Sequence, residues 1–262
     1  MLLVIDVGNT ETVCGLYREE KLAAHWRLSS KIPRTSDECW IFLKMWCEAS
    51  GFSLSDLKGI VISSVVPSLT AVFRKMSEKH LNLQPLIVSA EIDTELTILY
   101  DTPRTVGADR ICNAVAGYAH HGGPLIIVDF GTATTFDVVS EKGEYLGGAI
   151  ALGLMDASQE LHRIAAKLPR VDLAFPPFIV GKTTEMSIQA GIMWGTVALV
   201  DGMINRIISE MGWKNTQIVA TGGVASIIVE KLDRIKIVEP FLTLEGMRLI
   251  FQRYEHKKNR RN

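Results

Sequence analysis

A chain of 262 residues that is 47% hydrophobic has room for one large or two ordinary domains, and ample apolar residues to pack them. Its formal net charge of −1 excludes a disordered chain, which needs low hydrophobicity and high net charge, and a nucleic-acid binder held by a broad basic surface. Four cysteines, Cys14, Cys39, Cys47 and Cys112, form no CxxC pair and lack the spacing of a zinc knuckle, so buried thiols in a reducing compartment are expected.

The elements are predicted in chain order from apolar period and breakers. Met1 runs straight into the apolar strand Leu2-Leu3-Val4-Ile5 with no basic leader, so a cytoplasmic chain is expected. That strand runs into Asp6-Val7-Gly8-Asn9-Thr10. A second strand follows at 13–17, then the turn Arg18-Glu19-Glu20-Lys21 and a third segment. Helices are predicted at 36–50, 69–79 and 108–120, and strands at 59–63 and 85–88. His120-His121-Gly122-Gly123-Pro124 then breaks the pattern and marks a boundary. Beyond it the opening repeats. Ile126-Ile127-Val128 runs into Asp129-Phe130-Gly131-Thr132, with a strand at 136–139, the turn Glu141-Lys142-Gly143-Glu144 and a third segment. Helices at 155–168, 184–211 and 243–254 and a strand at 217–220 complete the chain. The two strand–Asp-x-Gly openings lie about half a chain apart, the mark of internal duplication. Two α/β halves are expected, residues 1–118 and 119–262.

Three features of the second half carry expectations of their own. The helix 184–211 places Gly191, Gly195, Ala198 and Gly202 at helical spacing. Each glycine costs a helix about 0.5–1 kcal/mol against alanine, so close packing is expected in compensation, within the chain or against a second copy. The uncharged stretch 186–200 falls short of the roughly 20 residues that span a bilayer, so no membrane partner is expected. The basic tail His256-Lys257-Lys258-Asn259-Arg260-Arg261 reads as a solvated, frayed terminus.

The acidic turns carry the chemistry. A glycine turn at a strand end frees backbone N–H groups to face an anion, and Asn9, Thr10 and Thr12 add side-chain donors. Asp6 is suited to hydrated Mg²⁺, which takes few carboxylates together with phosphate oxygens. One such turn is equally a β-turn with a hydrogen-bonded aspartate. The second copy, Asp129-Phe130-Gly131-Thr132-Ala133-Thr134-Thr135, and a third glycine turn, Thr221-Gly222-Gly223, tip the reading toward nucleotide binding, with the two acidic turns expected on one triphosphate. Asp109 on its own is read equally well as a carboxylate complementing a helix N-terminus.

The ordered set of motifs resembles the type III pantothenate kinases of the acetate kinase/Hsp70/actin superfamily. It comprises Asp6-Val7-Gly8-Asn9-Thr10, Trp26-Arg27-Leu28, Ser36-Asp37-Glu38, Ser63-Ser64-Val65-Val66-Pro67, Gly107-Ala108-Asp109-Arg110 and Asp129-Phe130-Gly131-Thr132-Ala133-Thr134. Gly147-Gly148-Ala149-Ile150, Ala220-Thr221-Gly222-Gly223 and Leu242-Thr243-Leu244-Glu245-Gly246 complete it. The resemblance implies duplicated ribonuclease H-like (actin-like ATPase) domains, each a mixed five-stranded sheet with flanking helices. It implies ATP-dependent phosphorylation of pantothenate, the first step of coenzyme A synthesis, by a homodimer whose substrate pocket lies near the dimer interface.

Residue by residue, the resemblance assigns Asp6, Val7, Gly8, Asn9, Thr10, Glu11, Thr12 and Val13 to the first ATP phosphate loop, with Asp6 also on Mg²⁺. Thr132 contacts ATP. Asp109 is the general base. Tyr100, Gly107, Ala108, Asp109, Arg110 and Thr184 hold pantothenate, and Asp129 holds a monovalent cation, K⁺ or NH4⁺. The sequence departs from the pattern in three places: Ala151-Leu152-Gly153 where a proline is usual, Glu160 before Leu161, and Lys182-Thr183 before Thr184.

Other chemistries lack their signatures. Gly181-Lys182-Thr183 resembles the end of a P-loop, but Pro176 stands where the first glycine is required. No GxGxxG and no GxSxG occurs. His120 and His121 are adjacent, and adjacent helical residues do not share a face, so no metal site is expected there. The alternative to a kinase is a non-catalytic nucleotide-binding or transcription-accessory homologue of the same fold, against which the presence of both Asp6 and Asp109 argues.

Overall fold

The computed structural model describes residues 1–165 and 167–261. In chain order the elements are β1 (Leu2–Val7), β2 (Glu11–Arg18), β3 (Lys21–Ser29), α1 (Ser36–Ala49), β4 (Gly59–Ser64), α2 (Pro67–Leu81), β5 (Leu86–Ile87), β6 (Thr97–Ile98) and α3 (Ala108–His121). They continue as β7 (Leu125–Phe130), β8 (Ala133–Val139), β9 (Glu144–Leu152), α4 (Leu154–Ile164), α5 (Thr184–Met211), β10 (Gln217–Thr221), α6 (Ala225–Val229), β11 (Ile237–Val238) and α7 (Leu242–Arg261). Contacts divide the chain into two compact units, Met1–Ala119 with Leu242–Asn262, and His120–Phe241. The sequence halves and the compact units thus differ in where the last helix belongs.

In the first unit the strands run in the order β3-β2-β1-β4-β5, with β1 antiparallel to β2 and parallel to β4. β1 and β4 are almost wholly apolar and buried, as strands covered on both faces must be. The helix α1 begins with a capping box: Thr35 Oγ1 accepts from Glu38 N at 3.2 Å and Glu38 Oε2 accepts from Thr35 N at 2.7 Å. It packs on α2, which starts at Pro67, a residue pre-set for the first helical turn, and ends at Asn82 in the left-handed conformation. Their core joins Leu3, Ile5, Leu16, Leu43, Ile60, Ile62, Phe73 and Met76. α7 docks on β1 and β4, and the fit is close. A Cβ at Gly59 would collide with the Phe251 ring, and one at Gly246 with the Cys112 carbonyl.

The second unit repeats this wiring. Five strands of its sheet, six-stranded where five were expected, run β9-β8-β7-β10-β11, with β7 antiparallel to β8 and parallel to β10, and β10 parallel to β11. The core sets Ile126, Val128, Phe130 and Phe136 against Ile188, Ile192, Met193, Val200 and Ile204 of α5. By length and composition α5 could cross a membrane, but one side of it is this core. Its bounds are those predicted, set by the Thr183 N-cap and Gly212 in the left-handed C-cap.

Three expectations are corrected. The helix predicted at 155–168 stops at Ile164, because Pro169 biases Leu168 away from helix and the His162 imidazole already bonds the Leu168 carbonyl at 2.6 Å. Residue 166 of that prediction lies outside the described residues. The basic tail is helical through Arg261, with Lys257 Nζ 2.6 Å from Asp93 and 3.6 Å from Glu95 and Arg253 donating to the Thr94 carbonyl at 2.5 Å. Finally, a Cβ at Gly191, Gly195 or Gly202 would meet nothing within 4 Å, so these glycines permit no close approach inside the chain.

Candidate active site

The first unit gathers Asp6, Ser63, Cys112 and Asp109. Asp6 and Ser63 face each other in the β1/β4 register, and Ser63 Oγ donates to Asp6 Oδ1 at 2.9 Å. The chain then turns tightly. Gly8 N donates to the Glu11 carbonyl at 3.0 Å, a position where a Cβ would be crowded to 3.0 Å. Asn9 and Glu11 are exposed, Val7 and Thr12 are buried, and Gly8, Thr10 and Val13 lie between. Ser30 N donates to the Thr10 carbonyl at 2.9 Å, and the Thr12 and Ser30 hydroxyls meet at 2.9 Å, so the turn is braced from β3. Glu11 is drawn sideways into an exposed ion pair with Arg27 at 2.7 Å.

Cys112, on the first turns of α3, is fully buried, hydrogen-bonded to Ser63 and close enough to Asp6 and Asp109 to feel both charges. Burial, then these two carboxylates, push its thiol well above the usual range. A thiolate nucleophile there is excluded. The same holds for Cys14, pushed up to about 12, and Cys47, pushed up to about 11, both chiefly by burial.

Asp109 sits in the first turn of α3, where the helix N-terminus favours an anion. Its Oδ1 accepts from the Arg110 backbone amide at 2.8 Å. Burial nevertheless dominates and raises its carboxyl above the ordinary aspartate value, opposed by the Arg110 amide and the Arg110 charge. A Cβ at Gly107 would collide with this carboxylate, so glycine there sets the side chain's orientation. Ala108 and Arg110 are buried, and Tyr100 is exposed ahead of the helix.

In the second unit the repeat and the third glycine turn come together. Thr221 pairs with Asp129 across β10 and β7. Gly222, with φ of +97°, lies where a Cβ would be 2.6 Å from Asp129 Oδ1 and from the Phe130 carbonyl. Thr132 is exposed, and a Cβ at Gly153 would strike its carbonyl. The neighbouring Thr134 Oγ1 is buried with no hydrogen-bond partner among the described residues, an orphaned donor beside the acidic turn. Thr184 is the exposed first residue of α5.

Sequence reasoning missed Asp137, a fully buried carboxylate on β8 that accepts from the Tyr145 hydroxyl at 2.8 Å. The alternation of Thr135 and Asp137 along one strand gave no signal of burial. A cavity of about 490 Å³ lies at the other end of β1 from Asp6, lined by Met1, Lys58, Arg248 and Phe251. It contains none of the candidate residues.

The donor sets fit what such a site handles. Asp6 with Ser63 offers hard oxygen to Mg²⁺. The glycine turns and hydroxyls offer N–H and O–H to phosphates. Two strand–Asp-x-Gly sheets of one wiring define the actin-like ATPase fold class. The solved structures agree. A ROK hexokinase from Thermus thermophilus superposes with a TM-score of 0.53 at 13% identity, covering 97% of this chain and 99% of that one. A Campylobacter jejuni chain described as a Baf family transcriptional activator superposes at 0.60 and 17%, covering 97% and 99%.

Within that class the sequence is specific. The profile of the type III pantothenate kinase family matches residues 2–206. Relatives named type III pantothenate kinase include those of Moorella thermoacetica, 49% identical over 97% of this chain and 99% of its own, and Citrifermentans bemidjiense, 50% identical over the same shares. That of Bacillus cytotoxicus is 45% identical over 98% and 99%. The chain belongs to the type III pantothenate kinase family.

Proposed function

We propose that this chain transfers the terminal phosphoryl group of ATP to a hydroxyl of pantothenate, giving 4'-phosphopantothenate, the first step of coenzyme A synthesis. The observation that carries the reading is the grouping of Asp6 and Asp109 around Cys112 in one unit, one carboxylate on a glycine turn and the other raised by burial.

Asp109 takes the hydroxyl proton as the pantothenate oxygen attacks phosphorus. The new O–P bond forms as the bond to the β-phosphate oxygen breaks, and ADP leaves with that electron pair. A carboxyl raised by burial is a stronger base than an ordinary one, which suits it to an alcohol. Such assistance contributes about 10²–10⁴-fold. Asp6, Val7, Gly8, Asn9, Thr10, Glu11, Thr12 and Val13 hold the phosphates, and Thr132 is a further ATP contact. Asp6 would hold Mg²⁺, which when bound would supply charge neutralisation to the phosphates. Gly107, Ala108, Arg110, Tyr100 and Thr184 position pantothenate, and Asp129 holds K⁺ or NH4⁺. Phosphoryl transfer rests on positioning and charge neutralisation, the roles proposed for these residues.

We further infer a cytoplasmic homodimer that engages neither nucleic acid nor membrane. The exposed glycine face of α5, open at Gly191, Gly195 and Gly202, favours a second copy as its neighbour. Purified protein given ATP, Mg²⁺, K⁺ and pantothenate tests the function. One ADP per 4'-phosphopantothenate, identified by mass, is expected. ATP consumption without that product, or no turnover under varied nucleotide and cation, would refute it.

A further inference from the structure

Among the described residues, the group of metal-ligating side chains close enough to share an ion is His120, His121 and Glu239, whose ligand atoms all lie within 4.8 Å of one another. All three belong to the second unit. No site is expected here from the sequence, since adjacent residues inside a helix point apart. The structure evades that rule because His121 is the last residue of α3. At the helix end the two rings stand nearly perpendicular, 81° apart with centroids separated by 5.9 Å, and both reach one carboxylate. His120 Nδ1 is 3.0 Å from Glu239 Oε2, and His121 Nε2 is 2.5 Å from Oε1.

The supporting backbone is ordered. Glu239 follows β11, and its N–H donates to the Ala220 carbonyl of β10 at 2.8 Å, which fixes the carboxylate from the sheet while the imidazoles come from the helix. The side chains are 35%, 19% and 24% exposed, so the group is partly desolvated yet open to solvent on one side. Ligand atoms on a tetrahedral zinc at about 2.0–2.1 Å stand roughly 3.3 Å apart. The His–Glu separations of 3.0 and 2.5 Å fall short of that value and the whole group lies within 4.8 Å, so the side chains would have to open slightly around an ion. Two imidazoles, one carboxylate and room for water form the donor set of a first-row divalent cation such as Zn²⁺, with softer ligands absent.

The geometry points to a divalent transition-metal site at His120, His121 and Glu239, none of which belongs to the acidic turns. Its ion ties the end of α3 to the β10–β11 edge of the second unit.

The test uses metal-free, untagged, full-length protein titrated with Zn²⁺ by calorimetry and with Co²⁺ by visible absorption. Expected are one ion per chain and the intense ligand-field bands of four- or five-coordinate Co²⁺. Zn²⁺ should also raise the thermal midpoint of the wild-type protein, reversibly with chelator. Glu239→Gln and His121→Gln should each weaken Zn²⁺ binding by more than about tenfold, while His256→Gln, exposed and outside the group, should not. If a variant fails to fold, the wild-type stoichiometry, Co²⁺ spectrum and midpoint shift still decide. Absence of binding by the wild-type chain, an octahedral hydrated Co²⁺ spectrum, or equal affinity in wild type and both variants would overturn the site and leave a His–Glu ion pair in its place.

Discussion

Replacing Asp109 by Asn separates the two roles open to this carboxylate. If it is the base, the variant loses proton acceptance at the reacting hydroxyl, and kcat should fall about 10²–10⁴-fold, equivalent to roughly 2.7–5.4 kcal/mol of barrier. Its stability should follow the opposite course. Burial raises the folded-state pKa above the unfolded value. The unfolded chain therefore releases this proton first, and stability falls as pH rises from the unfolded pKa through the folded one. At neutral pH the ionised side chain is a net cost to the fold, and that cost is absent below the unfolded value. Asparagine removes the cost and keeps an oxygen for the Arg110 amide, now 2.8 Å from Oδ1. The loss is the charge–dipole interaction at the start of α3, about 0.3–1 kcal/mol. The thermal midpoint at neutral pH should be equal to or above that of the wild type. Product formation measured beside melting curves tests both. The acid limb of wild-type kcat/KM should also lie above the ordinary aspartate range. Wild-type turnover by Asp109→Asn refutes the base; a midpoint several degrees lower refutes the electrostatic reasoning.

Other perturbations test the rest of the account. Asp129→Ala should weaken activation by K⁺ more than it weakens pantothenate binding, and equal wild-type rates with and without K⁺ would undo that assignment. Gly222→Ala forces a side chain into a φ of +97° and within 2.6 Å of Asp129 and Phe130. A loss of about 1–3 kcal/mol in denaturant unfolding is expected, and wild-type stability would contradict the close approach. Gly195→Ala adds helix propensity of about 0.5–1 kcal/mol where this chain leaves open space, but should shift a dimer toward monomer in light scattering. An unchanged dimer would remove that face of α5 from the interface.

What the sequence made legible is local. The strand–Asp-x-Gly openings of β1 and β7 stand out because an apolar run meets an acidic glycine turn twice. The bounds of α5 were readable because Thr183 and Gly212 are strong stop signals. What escaped depends on distant partners. The basic tail reads as frayed until Asp93, Thr94 and Glu95 are seen to hold Lys257 and Arg253. The place of α7 in the first unit rests on Gly59 receiving Phe251 and on Gly246 meeting Cys112, pairings invisible to any local pattern. Asp137 carries no mark of burial until Tyr145 is set beside it. His120 and His121 become a cluster only with Glu239, which the sheet brings back after more than a hundred residues. At the site, residue types and order were evident from Asp6 and Asp109, whereas their common neighbour Cys112 was not.

The most direct test is a crystal structure of the chain with pantothenate, Mg²⁺ and a non-hydrolysable ATP analogue. The account predicts an Asp109 carboxylate oxygen within hydrogen-bond reach of the pantothenate hydroxyl and Asp6 beside the nucleotide's Mg²⁺. A pantothenate hydroxyl directed away from Asp109, or a nucleotide bound without contact to the Asp6 turn, would contradict it.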